Sequence, residues 1–127
     1  MSDIRLGRMQ LRMMQVLWDL GSCTARQLTD AMNAEEPTAH STVQTLLRTL
    51  EDKKVVAHKA EGRTFIFYPL VQEDEVRQDA TQDLVERVFG GDASSLVSYL
   101  LKAGKITSEE LDALRKRIDA SPKKPKR

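Results

Sequence analysis

Residues 38–69, TAHSTVQTLLRTLEDKKVVAHKAEGRTFIFYP, decide how this chain is to be understood. Val43, Leu46, Leu47 and Leu50 fall at the i, i+3, i+4, i+7 spacing that gives a helix one buried stripe. EDKK ends that helix. VVAHK and TFIFYP then carry the β-branched and aromatic residues that suit strands, with AEGR as a Gly-containing turn. The outer face of the helix carries His40, Ser41, Thr42, Gln44, Thr45, Arg48 and Thr49. A plain solvent face favours Glu, Lys and Arg, because Ser and Thr are weaker helix formers. A major groove favours what is present here. Short hydroxyls and amides reach phosphates and base edges, Gln pairs with adenine, and Arg pairs with guanine.

Upstream, Met9, Met13, Val16, Leu17 and Leu20 form a helical stripe in RMQLRMMQVLWDLG, which Gly21 stops; Trp18 is expected at its edge. SCTARQLTDAMN is a second helix, with Ser22 or Thr24 as its cap and Ala25, Leu28 and Met32 facing inward. Pro37 keeps it from running on. The second and third helices make a helix-turn-helix candidate with a longish turn. The hairpin adds a wing, whose tip EGRT offers Arg63 and Thr64 to flanking backbone or minor groove.

Past residue 71 the character changes. QEDEVRQDATQDLVERVFGG is a helix with Val76, Ala80, Leu84 and Val88 on one face. Asp92 can cap ASSLVSYLLKAG, whose apolar residues are Leu96, Val97, Leu100 and Leu101. Thr107 and Glu110 form a capping box for a last helix bearing Leu111, Leu114 and Ile118. Three short amphipathic helices make a poor core alone, so a second copy of the same region is the expected cover. Folding back on the N-terminal part is the alternative. The expected fold class is therefore mainly α with a small β-hairpin wing. The expected divisions are a winged helix at 1–71, a helical dimerisation region at 72–120 and a basic flexible tail, SPKKPKR, at 121–127.

A net charge of +1 conceals an uneven spread. Residues 1–71 carry 9 Lys+Arg against 8 Asp+Glu, residues 72–120 carry 7 against 11, and the tail adds 4 bases with no acid. Any DNA-binding surface must then come from local arrangement or from the tail. Cys23 is the single cysteine, so no internal disulfide forms. The apolar runs FIFYPLV and LVSYLL are too short to cross a bilayer, and MSDIRLGRMQ lacks a signal-peptide core. A cytoplasmic protein without membrane insertion is expected.

Catalytic and cofactor chemistry find no footing. His40 and His58 have no partner at a recognisable catalytic spacing; His40 is expected to face solvent or phosphate, and His58 the sheet surface. Clustered metal ligands and a Gly-rich phosphate loop are both missing from the sequence, so no enzyme, metal or cofactor is expected. A winged helix that binds proteins, with no specific DNA target, stays open as an alternative.

LGRMQLRMMQVLWDLG, STVQTLLRTLEDKKVV, HKAEGRTFIFYPLV, VFGGDASSLVSYLL and ITSEELDALRKRI, in that order and spacing, resemble the penicillinase-repressor family of BlaI/MecI/CopY-type transcriptional repressors, from about Leu6 to Ile118. The resemblance implies an operator-binding winged helix and a dimerising C-terminal region that act as a homodimer on a dyad-symmetric site. It implies recognition-helix contacts from Ser41, Thr42, Gln44, Thr45 and Arg48, and wing contacts from Arg63 and Thr64. Antibiotic-responsive members are cleaved at an Asn-Phe bond, where this chain has Tyr99-Leu100; copper-responsive members carry a Cys-rich C-terminal motif, which it lacks. Neither inducing signal carries over, so a sensor or protease partner stays unnamed.

Overall fold

A computed structural model of the chain describes residues 5–120; the basic tail expected at 121–127 lies outside them. The elements are α1 (Arg8–Leu20), α2 (Ala25–Asn33), α3 (His40–Asp52), β1 (Val56–Glu61), β2 (Thr64–Pro69), α4 (Glu73–Phe89), α5 (Ala93–Lys102) and α6 (Ser108–Ala120). They fall into two compact units that divide after Thr81, inside α4.

In the first unit, Met13, Met14 and Leu17 of α1, Leu28 and Met32 of α2, and Val43, Leu47 and Leu50 of α3 share one core with Cys23, Val55 and Val56. The stripe of α1 is rotated from its expected line. Leu20, expected inside, is 50% exposed, and Met14 is buried instead. Met13, Met14 and Leu17 stand at i, i+1 and i+4, so the buried face is centred on the Met13–Met14 edge. Trp18 packs at that edge, and its Nε1–H donates to the Val71 carbonyl at 3.0 Å.

Helix ends are defined by specific bonds. Thr24 caps α2 in a reciprocal pair: its Oγ1 accepts from Gln27 N at 3.0 Å, and Gln27 Oε1 accepts from Thr24 N at 2.9 Å. The turn between α2 and α3 is braced by Asn33, whose Nδ2 donates to the carbonyls of Thr29 and Thr38 while its Oδ1 accepts from Thr38 N. At the end of α3, Lys54 N donates to Glu51 O at 3.0 Å and Val55 N to Leu50 O at 2.9 Å. This is the Schellman arrangement, which places Lys54 in the left-handed region at φ 65 where glycine is usual.

β1 and β2 pair antiparallel from Val56↔Pro69 to Glu61↔Thr64, so the turn is only Gly62-Arg63. The expected turn AEGR is thus shorter, and the strands reach the tip. Gly62 has φ +66 while Arg63 does not, an arrangement that suits the twist of a hairpin. Cys23 adds a bridge on the other side of β2, exchanging two backbone bonds with Phe67 at 3.0 and 2.8 Å.

The second unit comprises the end of α4, then α5 and α6. Asp92 caps α5, accepting from Ser94 N and Ser95 N. Thr107 and Glu110 form the expected capping box of α6 at 3.0 and 2.8 Å. Gly104 closes α5 at φ +73 with the same bond pattern that closes α3, donating to Leu101 O while Lys105 N donates to Leu100 O. Among its described residues none is buried.

Candidate nucleic-acid interface

α3 begins at His40 with Ala39 at its N-cap and, unlike α2 and α5, has no side-chain cap. The first-turn N–H groups of a helix have no intrahelical acceptor, and they carry the positive end of the helix dipole. Ser41, Thr42, Gln44, Thr45 and Arg48 are all exposed on this helix, while Val43, Leu47 and Leu50 hold its other side in the core. Burial of that stripe is what fixes which side chains face outward.

The structure brings some of the expected contacts together. Gln44 and Arg48 of α3 line one open cleft of about 640 Å³ with Arg63 and Thr64 of the hairpin. Ser41, Thr42 and Thr45 lie outside that lining, on the exposed part of α3. The cleft also takes in residues that the sequence did not single out for this surface: Arg26 at the start of α2, Glu51, His58 and the half-exposed Phe65.

Both histidines are more constrained than expected. His58 was expected on the sheet surface, but its Nδ1 lies 2.6 Å from Glu51 Oε2, and its ring stacks near Phe65 and Phe67 at 4.5 and 5.2 Å. This contact ties the wing to the last turn of α3. His40 was expected to face solvent or phosphate; it is half-buried, with Nδ1 2.8 Å from Thr29 Oγ1. His40 lines the same cleft as Gln44 and Arg48, at the i, i+4, i+8 spacing of the outer face on which the sequence placed all three. The histidine partners could not be found that way, since both contacts depend on packing between elements.

Arg12 supports the turn ahead of α3. Its Nη2 donates to Met32 O at 3.3 Å and pairs with Glu35 at 3.6 Å. Cys23 is buried, and burial pushes its thiol pKa up, so the sulfur stays protonated and unreactive at neutral pH. Among the described residues no group of three or more His, Cys, Asp and Glu could hold a metal ion, and no helix is long and apolar enough to cross a membrane.

The residues expected to dimerise all lie on α4, α5 and α6. Leu84, Val88, Val97, Leu101, Leu114 and Ile118 are exposed; Leu96, Leu100 and Leu111 are half-buried.

Known proteins resemble this chain in sequence and in fold. The sequence profile described as Penicillinase repressor matches residues 6–120. A penicillinase repressor of Bacillus licheniformis is 25% identical over 105 residues, covering 83% of this chain and 82% of its own. The methicillin resistance regulatory protein MecI of Staphylococcus aureus (strain N315) is 22% identical over 102 residues, covering 80% and 83%. The solution structure of the Bacillus licheniformis BlaI monomeric form, solved in complex with the blaP half-operator, superposes with a TM-score of 0.52 at 24% identity. That match covers 58% of this chain and 90% of the other, and it shows the shared winged-helix fold.

Proposed function

The chain belongs to the penicillinase repressor family, whose members are transcriptional repressors and not enzymes, and on that premise we propose that it represses transcription as a homodimer on a dyad-symmetric DNA operator. Residues 1–71 are assigned to DNA binding and 72–120 to dimerisation. The observation that carries the reading is the common surface of α3 and the hairpin, where Gln44, Arg48, Arg63 and Thr64 line one cleft.

In this reading Gln44, Thr45 and Arg48 face base edges, Ser41 and Thr42 sit near the phosphates at the start of α3, and Arg63 and Thr64 hold the flanking backbone. The uncapped start of α3 supports the phosphate assignment. The half-operator complex of the Bacillus licheniformis relative supports duplex DNA as the ligand. A chromosomal target makes the cytoplasm the expected location.

The second copy enters through specificity. One helix reads few base pairs, and each wrong pair costs about 1–3 kcal/mol, too little against the ~10⁶ or more competing sites of a genome. Two half-sites about one helical turn apart add their penalties. Exposed Val88 and Ile118, each about two-thirds accessible, support a partner surface on the second unit.

Selection of genomic fragments by the full-length protein at physiological salt, followed by sequencing, tests the reading. A two-fold symmetric motif near promoters is the expected result. Sequence-blind recovery, or none, would favour the protein-binding winged helix instead.

A further inference from the structure

Thr29 has one hydroxyl proton and two close neighbours, the Ala25 carbonyl oxygen at 2.8 Å and His40 Nδ1 at 2.8 Å. A carbonyl oxygen has no proton to give, so the hydroxyl donates to Ala25 O. Toward His40 the same oxygen can then only accept, which requires a proton on Nδ1. In the neutral ring Nε2 is therefore a bare acceptor. Thr29 is 5% exposed, so this arrangement is shielded from water.

Nε2 has no hydrogen-bond partner among the described residues, and no buried side-chain nitrogen or oxygen there lacks one, so Nε2 is open to solvent. His40 lines the cleft that Gln44 and Arg48 continue one and two turns along α3. The other charged or titratable groups on that cleft are Arg26 of α2, Arg48 and Glu51 of α3, His58 of β1 and Arg63 of the hairpin tip. The Glu51 carboxylate also only accepts, but it is engaged by His58 at 2.6 Å. Arg26, Gln44, Arg48, Arg63 and Thr64 donate, or both donate and accept, so an aromatic nitrogen locked as an acceptor is different chemistry among them.

We propose that His40 is a specificity-determining residue, its Nε2 accepting a hydrogen bond from an exocyclic amino group of cytosine or adenine in the major groove, with Thr29 as the positioning residue that fixes the ring and its tautomer. This rests on the DNA-binding reading above. Phosphates offer no donor, so a neutral Nε2 cannot bind one. The amino groups of cytosine N4 and adenine N6 are the donors that the major groove exposes.

The test selects duplexes from a randomised library with full-length wild type, His40→Ala, Thr29→Val and Thr29→Ser. The wild type should prefer cytosine or adenine at one symmetric pair of positions. His40→Ala should lose about tenfold discrimination there and nowhere else. Thr29→Val, which keeps the shape and removes the hydroxyl, should weaken the same positions; Thr29→Ser should restore them. Unchanged preferences in His40→Ala, with a wild-type motif present, would overturn the inference and leave the DNA reading intact. A uniform loss over all sequences in His40→Ala would make His40 a phosphate ligand and also overturn it. A wild type that selects no sequence would overturn both.

Discussion

The two units are built from helices of the same kind and end with different interiors. In the first, the apolar stripes of α1, α2 and α3 converge, and Met13, Met14, Leu17, Leu28, Met32, Val43 and Leu50 are wholly buried. In the second, the apolar residues are less sharply confined to one face, and Val88 is left at 65% and Ile118 at 66% exposure. The caps are equally well made in both, as Thr24 with Gln27 and Thr107 with Glu110 show. Local chemistry thus forms helices in both units, and the difference lies in what covers them. Capping contributes about 1 kcal/mol per helix, whereas burying a large apolar side chain contributes about 1.5–3 kcal/mol. A unit with caps and no covered core is short of its main source of stability, and a second copy would supply it.

The comparison can be broken first in the core. Leu50→Ala should cost the first unit about 2–5 kcal/mol, measured by urea unfolding, because Leu50 is wholly buried between helices. Val88→Arg, on an exposed position of the second unit, should leave the first unit's unfolding within about 0.5 kcal/mol of wild type. It should instead separate the two copies and lower operator affinity by about 10²-fold or more, through lost avidity, in a gel-shift titration. If Val88→Arg lowered the stability of the first unit as much as Leu50→Ala, the contrast between the units would be wrong.

The reading face gives effects of middle size. Gln44→Ala should remove about 1–3 kcal/mol of base discrimination at one position. Arg63→Ala should weaken all sequences alike and reduce the slope of log affinity against log salt by about one. A changed sequence preference in Arg63→Ala would move the wing from backbone to base readout.

Smaller still are the helix ends. α3 and α5 close with the same bonds, yet the left-handed position holds Lys54 in one and Gly104 in the other. A side chain in that region costs about 1–2 kcal/mol, partly offset by the greater freedom of glycine in the unfolded chain. Lys54→Gly should therefore stabilise the first unit by about 0.5–1 kcal/mol in the same urea experiment.

Last is pH. Burial raises the Cys23 thiol above its ordinary value of 9.0. The unfolded chain then loses that proton first, so stability from this group is full below the ordinary value and falls as pH rises past it. Cys23→Ala should remove that share of the alkaline decline.

Much of this was legible in the sequence. The spacing of Val43, Leu47 and Leu50 fixed α3, and with it which side chains face out. TFIFYP was visible as a strand because alternation is not needed when β-branched and aromatic residues dominate. The box at Thr107 and Glu110 was visible because its partners are three residues apart. What stayed hidden joins elements that meet only on folding: Thr29 with His40, Glu51 with His58, and the backbone of Cys23 with Phe67. Periodicity also could not tell Met14 from Leu20, since both border the stripe and the packing of neighbouring elements decides which is covered.

Sedimentation equilibrium of the full-length chain, at the concentrations where it binds DNA, tests the central claim most directly. The account predicts a mass of two 14.4 kDa chains. A single-chain mass throughout, from protein that still selects a two-fold symmetric site, would contradict it.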